Sequence, residues 1–135
     1  MEFPVSIKGV ILKKDQVLLV KNHRDEWELP GGRIEIGESS TQCLKREIQE
    51  ELKLDVKIVT IIDTKLFEVI PGKHIFLAAF LCEMTNDNDI IEISHEHTKF
   101  QWFMIKELVQ IKIPTEYVET IEKSIKERTK NMECP

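Results

Sequence analysis

The feature that most limits what this chain can fold into is a glycine pair followed closely by a glutamate-rich helix. Gly31 and Gly32 follow Pro30, and such a turn ends any regular element because proline fixes its φ angle and glycine tolerates conformations that other residues avoid. Ser39 and Gln42 have the spacing of a capping box, which predicts that a helix begins here. The fold must therefore hold a long helix beside a tight backbone turn.

This helix, which is predicted to run to about Lys53, carries its carboxylates on one side. With about 100° per residue, an apolar stripe faces the core: Leu44, Ile48 and Leu52. Three glutamates share an arc beside that stripe: Glu47, Glu50 and Glu51. Like charges this close repel, and each raises the pKa of its neighbours. A hard divalent cation such as Mg²⁺ or Mn²⁺ would relieve the repulsion because it prefers oxygen ligands; a solvated acidic face is the alternative.

Strand signals flank the helix on both sides. Val5–Leu12 and Val17–Val20 predict a hairpin, and the β-branched residues of 56–62 predict a strand after the helix. His74–Glu83 contains an unbroken apolar run, which predicts a strand buried on both faces. Three further elements follow: a strand at Phe100–Phe103, a short helix at Ile105–Val109, and a last helix at Thr115–Arg128. The last helix has an apolar stripe of Val118, Ile121 and Ile125. This order predicts an α/β fold with helices packed on a mixed sheet.

Composition excludes several classes of protein. The 135 residues are the length of one domain, so residues 1–135 are predicted to form a single unit. With 32% charged and 41% hydrophobic residues, the chain is neither a membrane protein nor a disordered one. Its 24 acidic and 19 basic residues give a net charge of −5, so it has no general attraction for the backbone of a nucleic-acid polymer.

The cysteines and the N-terminus favour a reducing compartment. Cys43, Cys82 and Cys134 are odd in number and lack C-x-x-C spacing, so neither a disulfide framework nor a zinc knuckle is predicted. Residues 1–4 contain no basic segment leading into an apolar run, so a signal peptide is not expected. We therefore expect a cytoplasmic protein.

Two other metal-binding patterns are weak. His95 and His97 form an H-x-H pair, but no cysteine or further histidine joins them at a suitable spacing, so a zinc site is not predicted. Residues 87–89 are acidic and polar like part of a calcium loop, but the glycine and the terminal glutamate of such a loop are missing.

Segment 32–54 resembles the Nudix box, whose pattern is G-x5-E-x7-R-E-U-x-E-E-x-G-U, with U a bulky aliphatic residue. The matching positions are Gly32, Glu38, Arg46, Glu47, Ile48, Glu50, Glu51 and Leu54, which lie within 23 of the 135 residues. Lys53 stands where the family usually has a glycine that ends the helix in a left-handed conformation. Ending the helix is a structural task, so this departure from the pattern does not concern the chemistry of the box. The preceding residues 27–31, Trp-Glu-Leu-Pro-Gly, are similar to family members of the mutator type, which remove oxidised nucleotides.

The resemblance implies an α/β/α sandwich in which a mixed β-sheet is flanked by helices. It also implies hydrolysis of the pyrophosphate bond in a nucleoside diphosphate linked to another group, with Mg²⁺ or Mn²⁺ as cofactor. The similarity to the mutator type favours a nucleoside triphosphate, ordinary or oxidised, that is cut to monophosphate and pyrophosphate. The expected partner is thus a small nucleotide, with no nucleic-acid polymer and no membrane, and the family includes both monomers and homodimers.

The resemblance also implies which residues form the site. The implied metal ligands are the Gly31 carbonyl and the carboxylates of Glu47, Glu50, Glu51 and Glu96. The implied catalytic residues are Arg46, which would hold a carboxylate in position, and Glu47, Glu50 and Glu96, with Glu38 in support. Glu96 precedes Trp102 by six residues, as an additional glutamate precedes an aromatic residue in many members; Glu92 is the fallback, and an exposed loop glutamate is the alternative. The predicted substrate contacts are Arg24 with a phosphate, Trp27 with a base, and Gly32.

Other functions stay open at this point. Pro71 lies 17 residues beyond the box, close to where members that cleave ADP-ribose carry a proline, so an ADP-ribose or nucleotide-sugar pyrophosphatase is the alternative. A nucleotide sensor without catalysis is disfavoured because such relatives usually lose carboxylates from the box. An acidic protein-interaction domain would leave the glycine pair unexplained.

Overall fold

Seven strands, two α-helices and a short 3₁₀ helix make up the computed structural model, which describes residues 3–86, 89–94, 97 and 99–133. The strands are β1 (Val5–Lys13), β2 (Gln16–Lys21), β3 (Trp27–Glu28), β4 (Gly31–Arg33), β5 (Val56–Ile70), β6 (Lys73–Met84) and β7 (Lys99–Met104). The helices are α1 (Ser40–Leu52) and α2 (Thr115–Glu133), and the 3₁₀ helix is Ile105–Gln110.

The strands form one mixed sheet with the order β3-β2-β1-β6-β5, to which β4 is added beside β1 and β7 beside β2. β1 and β6 run parallel, whereas the other pairs are antiparallel. Because side chains alternate along a strand, β1 contributes Ile7 and Ile11 to the core under α1, and Val10 and Leu12 to the core under α2. The predicted α/β/α sandwich is confirmed.

The apolar faces of the helices follow from their sequences. The predicted stripe of α1 is fully buried: Leu44, Ile48 and Leu52. In α2, Tyr117 and Ile121 are buried in the core and Ile125 packs against it, while Val118 is half-buried. Tyr117 therefore occupies the core position that the predicted apolar stripe of the last helix assigned to Val118. No helix in the described part of the chain is long and apolar enough to cross a membrane.

The ends of α1 agree with the sequence. Ser39 and Gln42 form the predicted capping box, in which the Ser39 hydroxyl accepts from the backbone N–H of Gln42 and the Gln42 side chain accepts from that of Ser39. At the other end Lys53 adopts the left-handed conformation, with φ 56°. A lysine therefore performs the helix-ending task that glycine performs at lower cost.

Between β3 and β4 the chain changes its partner strand. Glu28 pairs with Val20 on β2, and three residues later Gly31 pairs with Lys8 on β1. Gly31 has φ +136°, and a Cβ atom there would collide with the carbonyl of Ile7, so only glycine fits this position. The switch opens the sheet between β3 and β4 and brings the end of β3 close to the N-terminal part of β1.

The long hairpin of β5 and β6 extends further than the sequence predicts. The predicted strand ended at Ile62, but β5 continues to Ile70 and turns at Pro71-Gly72 into β6. Within β6 the run from Leu77 to Cys82 is buried, but Phe76, which belongs to the apolar run predicted to be buried on both faces, is 38% exposed. Both cysteines in the described residues, Cys43 and Cys82, are buried free thiols.

Candidate active site

Glu47 and Glu51, one helical turn apart on α1, both lie against the glycine pair of β4. Glu51 Oε1 accepts a hydrogen bond of 3.3 Å from the backbone N–H of Gly31. The Glu47 carboxylate occupies the space that a Cβ atom at Gly32 would need. Gly32 therefore leaves the space that the Glu47 carboxylate occupies, whereas Gly31 is required by its backbone conformation and by the nearby Ile7 carbonyl.

Arg46 connects the start of α1 with two glutamates of the helix. Its guanidinium binds both oxygens of Glu38, with N–O distances of 2.6 and 2.9 Å. It also donates to Glu47 at 2.9 Å and to Glu50 at 3.3 Å. Hydrogen bonds from Arg46 and from the backbone of Glu35 lower the pKa of Glu38 to about 2. Arg46 is thus the side chain that orders this cluster.

Glu51 is the buried member of the three box glutamates. Its side chain is 2% exposed, whereas that of Glu50 is 60% exposed. Burial raises the pKa of Glu51 to about 7, although Lys8 and His97 act to lower it. Among the residues that the structure describes, none forms a hydrogen bond with Glu51 Oε2. A buried carboxylate oxygen without a partner is costly, and this atom therefore marks a place where a ligand would be stabilised.

Lys8 is a buried cation that the sequence analysis missed. It lies on β1, and its Nζ donates to the Gly31 carbonyl at 3.4 Å. Burial acts to lower its pKa, but Glu28 and other acidic groups, among them Glu51 and Glu47, together raise it. Lys8 therefore stays charged inside the protein. The sequence signal that could have identified Lys8 is its position as a charged residue within the mostly apolar predicted strand Val5–Leu12.

Glu28 and His97 complete the buried polar cluster and were also missed. His97 Nε2 lies 2.9 Å from Glu28 Oε1, and Asn22 donates to Glu28 Oε2 at 3.1 Å. Burial alone would raise the pKa of Glu28, but Lys8, His97 and Asn22 lower it to about 2. The other ring nitrogen, His97 Nδ1, lies 3.7 Å from Glu51 Oε2 in an ion pair and forms no hydrogen bond with any part of the chain that the structure describes. Sequence spacing gave no sign that His97 faces α1.

The remaining predicted residues lie in different surroundings. Arg24 is exposed in the loop before β3 and pairs with Glu26 at 3.1 Å. Trp27 is buried and packs edge-on against Phe103, with ring centroids 4.7 Å apart. Glu96 and His95 lie outside the described residues, as does Cys134. The fallback Glu92 is exposed, and its backbone N–H donates to Leu52 at the end of α1.

The oxygen donors of this cluster fit a divalent cation. Glu47, Glu50, Glu51 and the Gly31 carbonyl come from two adjacent elements, and hard cations prefer such ligands. Glu51 Oε2 is buried and accepts no hydrogen bond from the described residues. Within the described residues no three acidic, histidine or cysteine groups converge on one point; Glu47 and Glu50 accept hydrogen bonds from Arg46.

Comparison with known proteins places these features in a family. A model of the NUDIX domain matches residues 3–124. The 8-oxo-dGTP diphosphatase of Proteus vulgaris is 38% identical over 74 residues, which are 51% of this chain and 65% of that protein. A putative ADP-ribose pyrophosphatase of Bacillus subtilis is 30% identical over 99 residues, which are 70% of this chain and 48% of that protein. The chain spans less than two thirds of the length of either relative.

Solved structures show the same fold. A MutT NUDIX hydrolase from Burkholderia pseudomallei superimposes with a TM-score of 0.80 at 22% identity, covering 91% of this chain and 98% of that one. A UDP-X diphosphatase also gives a TM-score of 0.80, at 20% identity, covering 95% of this chain and 65% of that one. At such identities the likeness concerns the arrangement of the sheet and its helices.

Proposed function

This chain belongs to the Nudix family, and on that premise we propose that it hydrolyses a pyrophosphate bond in a nucleotide with the help of a divalent cation. The observation that carries the proposal is the contact of Glu47 and Glu51 with the glycine pair Gly31-Gly32, which lies in strand β4 and not in the predicted turn, and the ordering of Glu47 by Arg46. A structural helix gains nothing from carboxylates crowded onto a glycine pair. A site that binds a cation and a phosphate does gain from this arrangement, because the cation relieves the repulsion between the carboxylates.

The proposed metal ligands are Glu47, Glu50, Glu51 and the Gly31 carbonyl, together with Glu96. Bound there, Mg²⁺ or Mn²⁺ would neutralise the charge that develops on the pyrophosphate oxygens. Arg46 holds Glu47 and Glu50 in position through its hydrogen bonds.

In the proposed reaction a water attacks one phosphorus atom, and a carboxylate takes its proton. The bridging P–O bond breaks, and its electron pair leaves with the departing phosphate group. Glu47, Glu50 and Glu96 are the candidates for the base. Glu50 has the most exposed carboxylate of the three box glutamates on α1.

The proposed substrate is a nucleoside triphosphate, ordinary or oxidised, which gives a monophosphate and pyrophosphate. The mutator-like segment 27–31 and the similarity to an 8-oxo-dGTP diphosphatase support this choice. ADP-ribose or a nucleotide sugar is the second candidate, supported by the similarity to a putative ADP-ribose pyrophosphatase. Phosphate binding by exposed Arg24 and substrate contacts of Trp27 and Gly32 stay predictions, as do a cytoplasmic location and a monomeric or homodimeric state.

The test is product release from a panel of nucleotides with Mg²⁺ and then with EDTA. The panel holds ordinary and oxidised triphosphates, ADP-ribose and nucleotide sugars. Turnover that EDTA abolishes is expected. If no member is cut but one still binds tightly, the protein is a nucleotide sensor and the proposal is wrong.

A matched pair of variants tests the role of the helix carboxylates. Glu50→Gln keeps the fold because the side chain is exposed, and activity should fall by at least about 10²-fold. Glu119→Gln on α2 is the control, since Glu119 is equally exposed, at 59%, and pairs with Lys65 away from the carboxylate cluster. Near wild-type turnover in Glu50→Gln would exclude a catalytic or ligand role for that residue.

A further inference from the structure

We propose that two copies of this chain form a homodimer in which their β5 strands pair antiparallel, edge to edge, with Thr64 of one copy opposite Thr64 of the other on the two-fold axis. The surface concerned is the free edge of β5 together with the exposed apolar side chains beside it. Such an assembly does not depend on the proposed hydrolysis, because none of the residues assigned to that site lies on β5.

β5 is a long strand at the edge of the sheet. It stands last in the strand order, and within the described ranges it is paired with β6 alone. Its 15 residues extend over roughly 50 Å. The backbone N–H and C=O groups on the outer side of an edge strand lack a partner strand, and a long edge therefore pairs readily with another strand.

Exposed apolar side chains accompany this edge on the side of the sheet that carries α1. Ile61 and Leu66 are 53% and 49% exposed, and Phe76, which pairs with Leu66 from β6, is 38% exposed. They stay uncovered because α1 has 13 residues and is only about 20 Å long, less than half the length of β5. The core under α1 includes Val56 and Ile58 at the start of β5. A strip of apolar surface therefore continues to the free edge further along the strand.

The sequence around Thr64 is complementary to itself in antiparallel pairing. With Thr64 on the axis, Asp63 of each copy lies opposite Lys65 of the other. The register with β6 shifts between Ile61 and Asp63 through one extra residue, so Ile61 comes opposite Leu66 of the other copy. Opposite charges and threonine pairs on facing strands stabilise a sheet, and the pairs of Ile61 with Leu66 remove apolar surface from water.

Neighbouring registers are excluded by charge and by the direction of the side chains. An axis at Asp63 or at Lys65 would place two like charges opposite each other, which destabilises a strand pair. An axis between two residues would bring side chains of opposite faces together, so that Leu66 would no longer face Ile61. Thr64 is the position at which both conditions are met.

The charged side chains beside the axis balance one another within each copy. Asp63 lies 3.1 Å from Lys65 and 3.1 Å from Lys123 of α2, and Lys65 lies 3.4 Å from Glu119. Two carboxylates and two ammonium groups leave no net charge there, although the whole chain carries −5. These four side chains therefore add no like-charge repulsion when two copies meet.

The first test is the mass of the full chain in sedimentation across a dilution series, with a dimer expected at the concentrated end. Leu66→Glu places a charge in the apolar strip, and we expect the dissociation constant of the dimer to rise at least about tenfold. Val109→Glu is the matched control, because Val109 is also an exposed apolar residue, at 85%, and lies on the 3₁₀ helix that follows β7; its dissociation constant should equal that of the wild type. Circular dichroism checks that both variants are folded.

A cross-link tests the register itself. Directly opposite residues of an antiparallel pair have Cα atoms about 4.5–5.5 Å apart, a separation that a disulfide spans. Thr64→Cys should therefore form an intermolecular disulfide under mild oxidation. In Glu68→Cys, four residues along the strand, the two thiols would be roughly 26 Å apart across the axis and should not react. Both variants also carry Cys134→Ser, and Cys43 and Cys82 are buried.

Three results would overturn the inference: a chain that stays monomeric at every concentration, a dimer that Leu66→Glu leaves intact, or cross-linking in Glu68→Cys as fast as in Thr64→Cys. Neither test involves nucleotide or metal, so both are separate from the hydrolysis panel. A dimer that cuts no nucleotide would leave this interface standing and overturn the proposed function, whereas a monomer that cuts one would do the reverse.

Discussion

The carboxylate of Glu47 packs directly on Gly32, in the space that a side chain at residue 32 would fill. Gly32 is not among the residues with positive φ, so alanine is compatible with its backbone and only the contact with Glu47 opposes it. We expect Gly32→Ala to displace Glu47 and lower kcat by about 10²-fold, since a shift of about 1 Å at a catalytic group has this effect. Stability should change by only about 1 kcal/mol. Urea unfolding and steady-state kinetics check both values, and unchanged kcat would contradict the role of Glu47.

Lys8→Met tests the buried cation. The substitution conserves length but leaves Glu28 and Glu51 without the charge that lowers the pKa of both. Removing one partner of a buried charge group should lower the free energy of unfolding by about 3 kcal/mol in EDTA. The control is Lys57→Met, whose side chain is 70% exposed beside Glu83 and should cost less than about 1 kcal/mol. Equal effects of the two variants would show that Lys8 has no special electrostatic role.

The pH dependence of stability should report Glu51. Burial raises its pKa from the usual 4.5 to about 7, so the folded protein binds this proton more tightly than the unfolded chain. The free energy of unfolding of the metal-free protein should therefore fall as pH rises from about 5 to about 7.5. Glu51→Gln should flatten this slope.

Two neighbours of Glu51 affect the same measurement in different ways. The raised pKa of His97 gives stability that is lost as pH rises, so part of the slope persists in Glu51→Gln. The pKa of Glu28, lowered to about 2, gives stability that is lost only as pH falls below its usual value toward 2. Urea titrations in EDTA across both ranges separate these contributions; an identical slope in Glu51→Gln would contradict the raised pKa of Glu51.

Lys53→Gly should stabilise the protein. Lys53 has φ 56° at the end of α1, a conformation that costs a side chain with Cβ about 1 kcal/mol and costs glycine little. We expect the free energy of unfolding to rise by about 0.5–1 kcal/mol without a change in activity. Lys45→Gly, inside the same helix, is the opposite control and should lower it by about 1 kcal/mol. Both values come from urea unfolding, and a loss of stability in Lys53→Gly would show that the lysine side chain contributes a contact of its own.

Local patterns accounted for the helix of the site. The capping box at Ser39 depends on neighbouring residues only, so one sequence is enough to predict it. The left-handed conformation at Lys53 was implied only by the resemblance to the Nudix box, which usually has glycine at that position. The exposure of the carboxylates agrees with the helical periodicity, although no order was predicted: Glu51, nearest the apolar stripe, is buried, and Glu50, farthest from it, is the most exposed of the three. What each carboxylate contacts did not follow from periodicity.

Contacts between distant segments were not predictable from spacing. Glu28 and His97 are separated by 69 positions, and they meet because β3 and the start of β7 both pair with the end of β2, at Val20 and Lys21. The length of β5 has a similar cause. Asp63 interrupts the apolar pattern, and the prediction ended before it; in the structure Asp63 pairs with Lys65 and with Lys123 of α2 at 3.1 Å each. Partners on another element thus allow a charge within a strand.

Because the chain changes its partner strand between β3 and β4, the sheet consists of two groups of paired strands, here called plates, that are joined at one place. One plate consists of β1, β4, β5 and β6, with α1 packed on it, and the other of β2, β3 and β7. Among the described strands the plates are joined by the short β1–β2 pairing at Leu12–Val17 and Lys13–Gln16. Glu28 lies on the second plate, and His97 just precedes its strand β7; Glu51 belongs to the first. The 3.7 Å contact between His97 Nδ1 and Glu51 Oε2 therefore links the second plate to the helix that packs on the first.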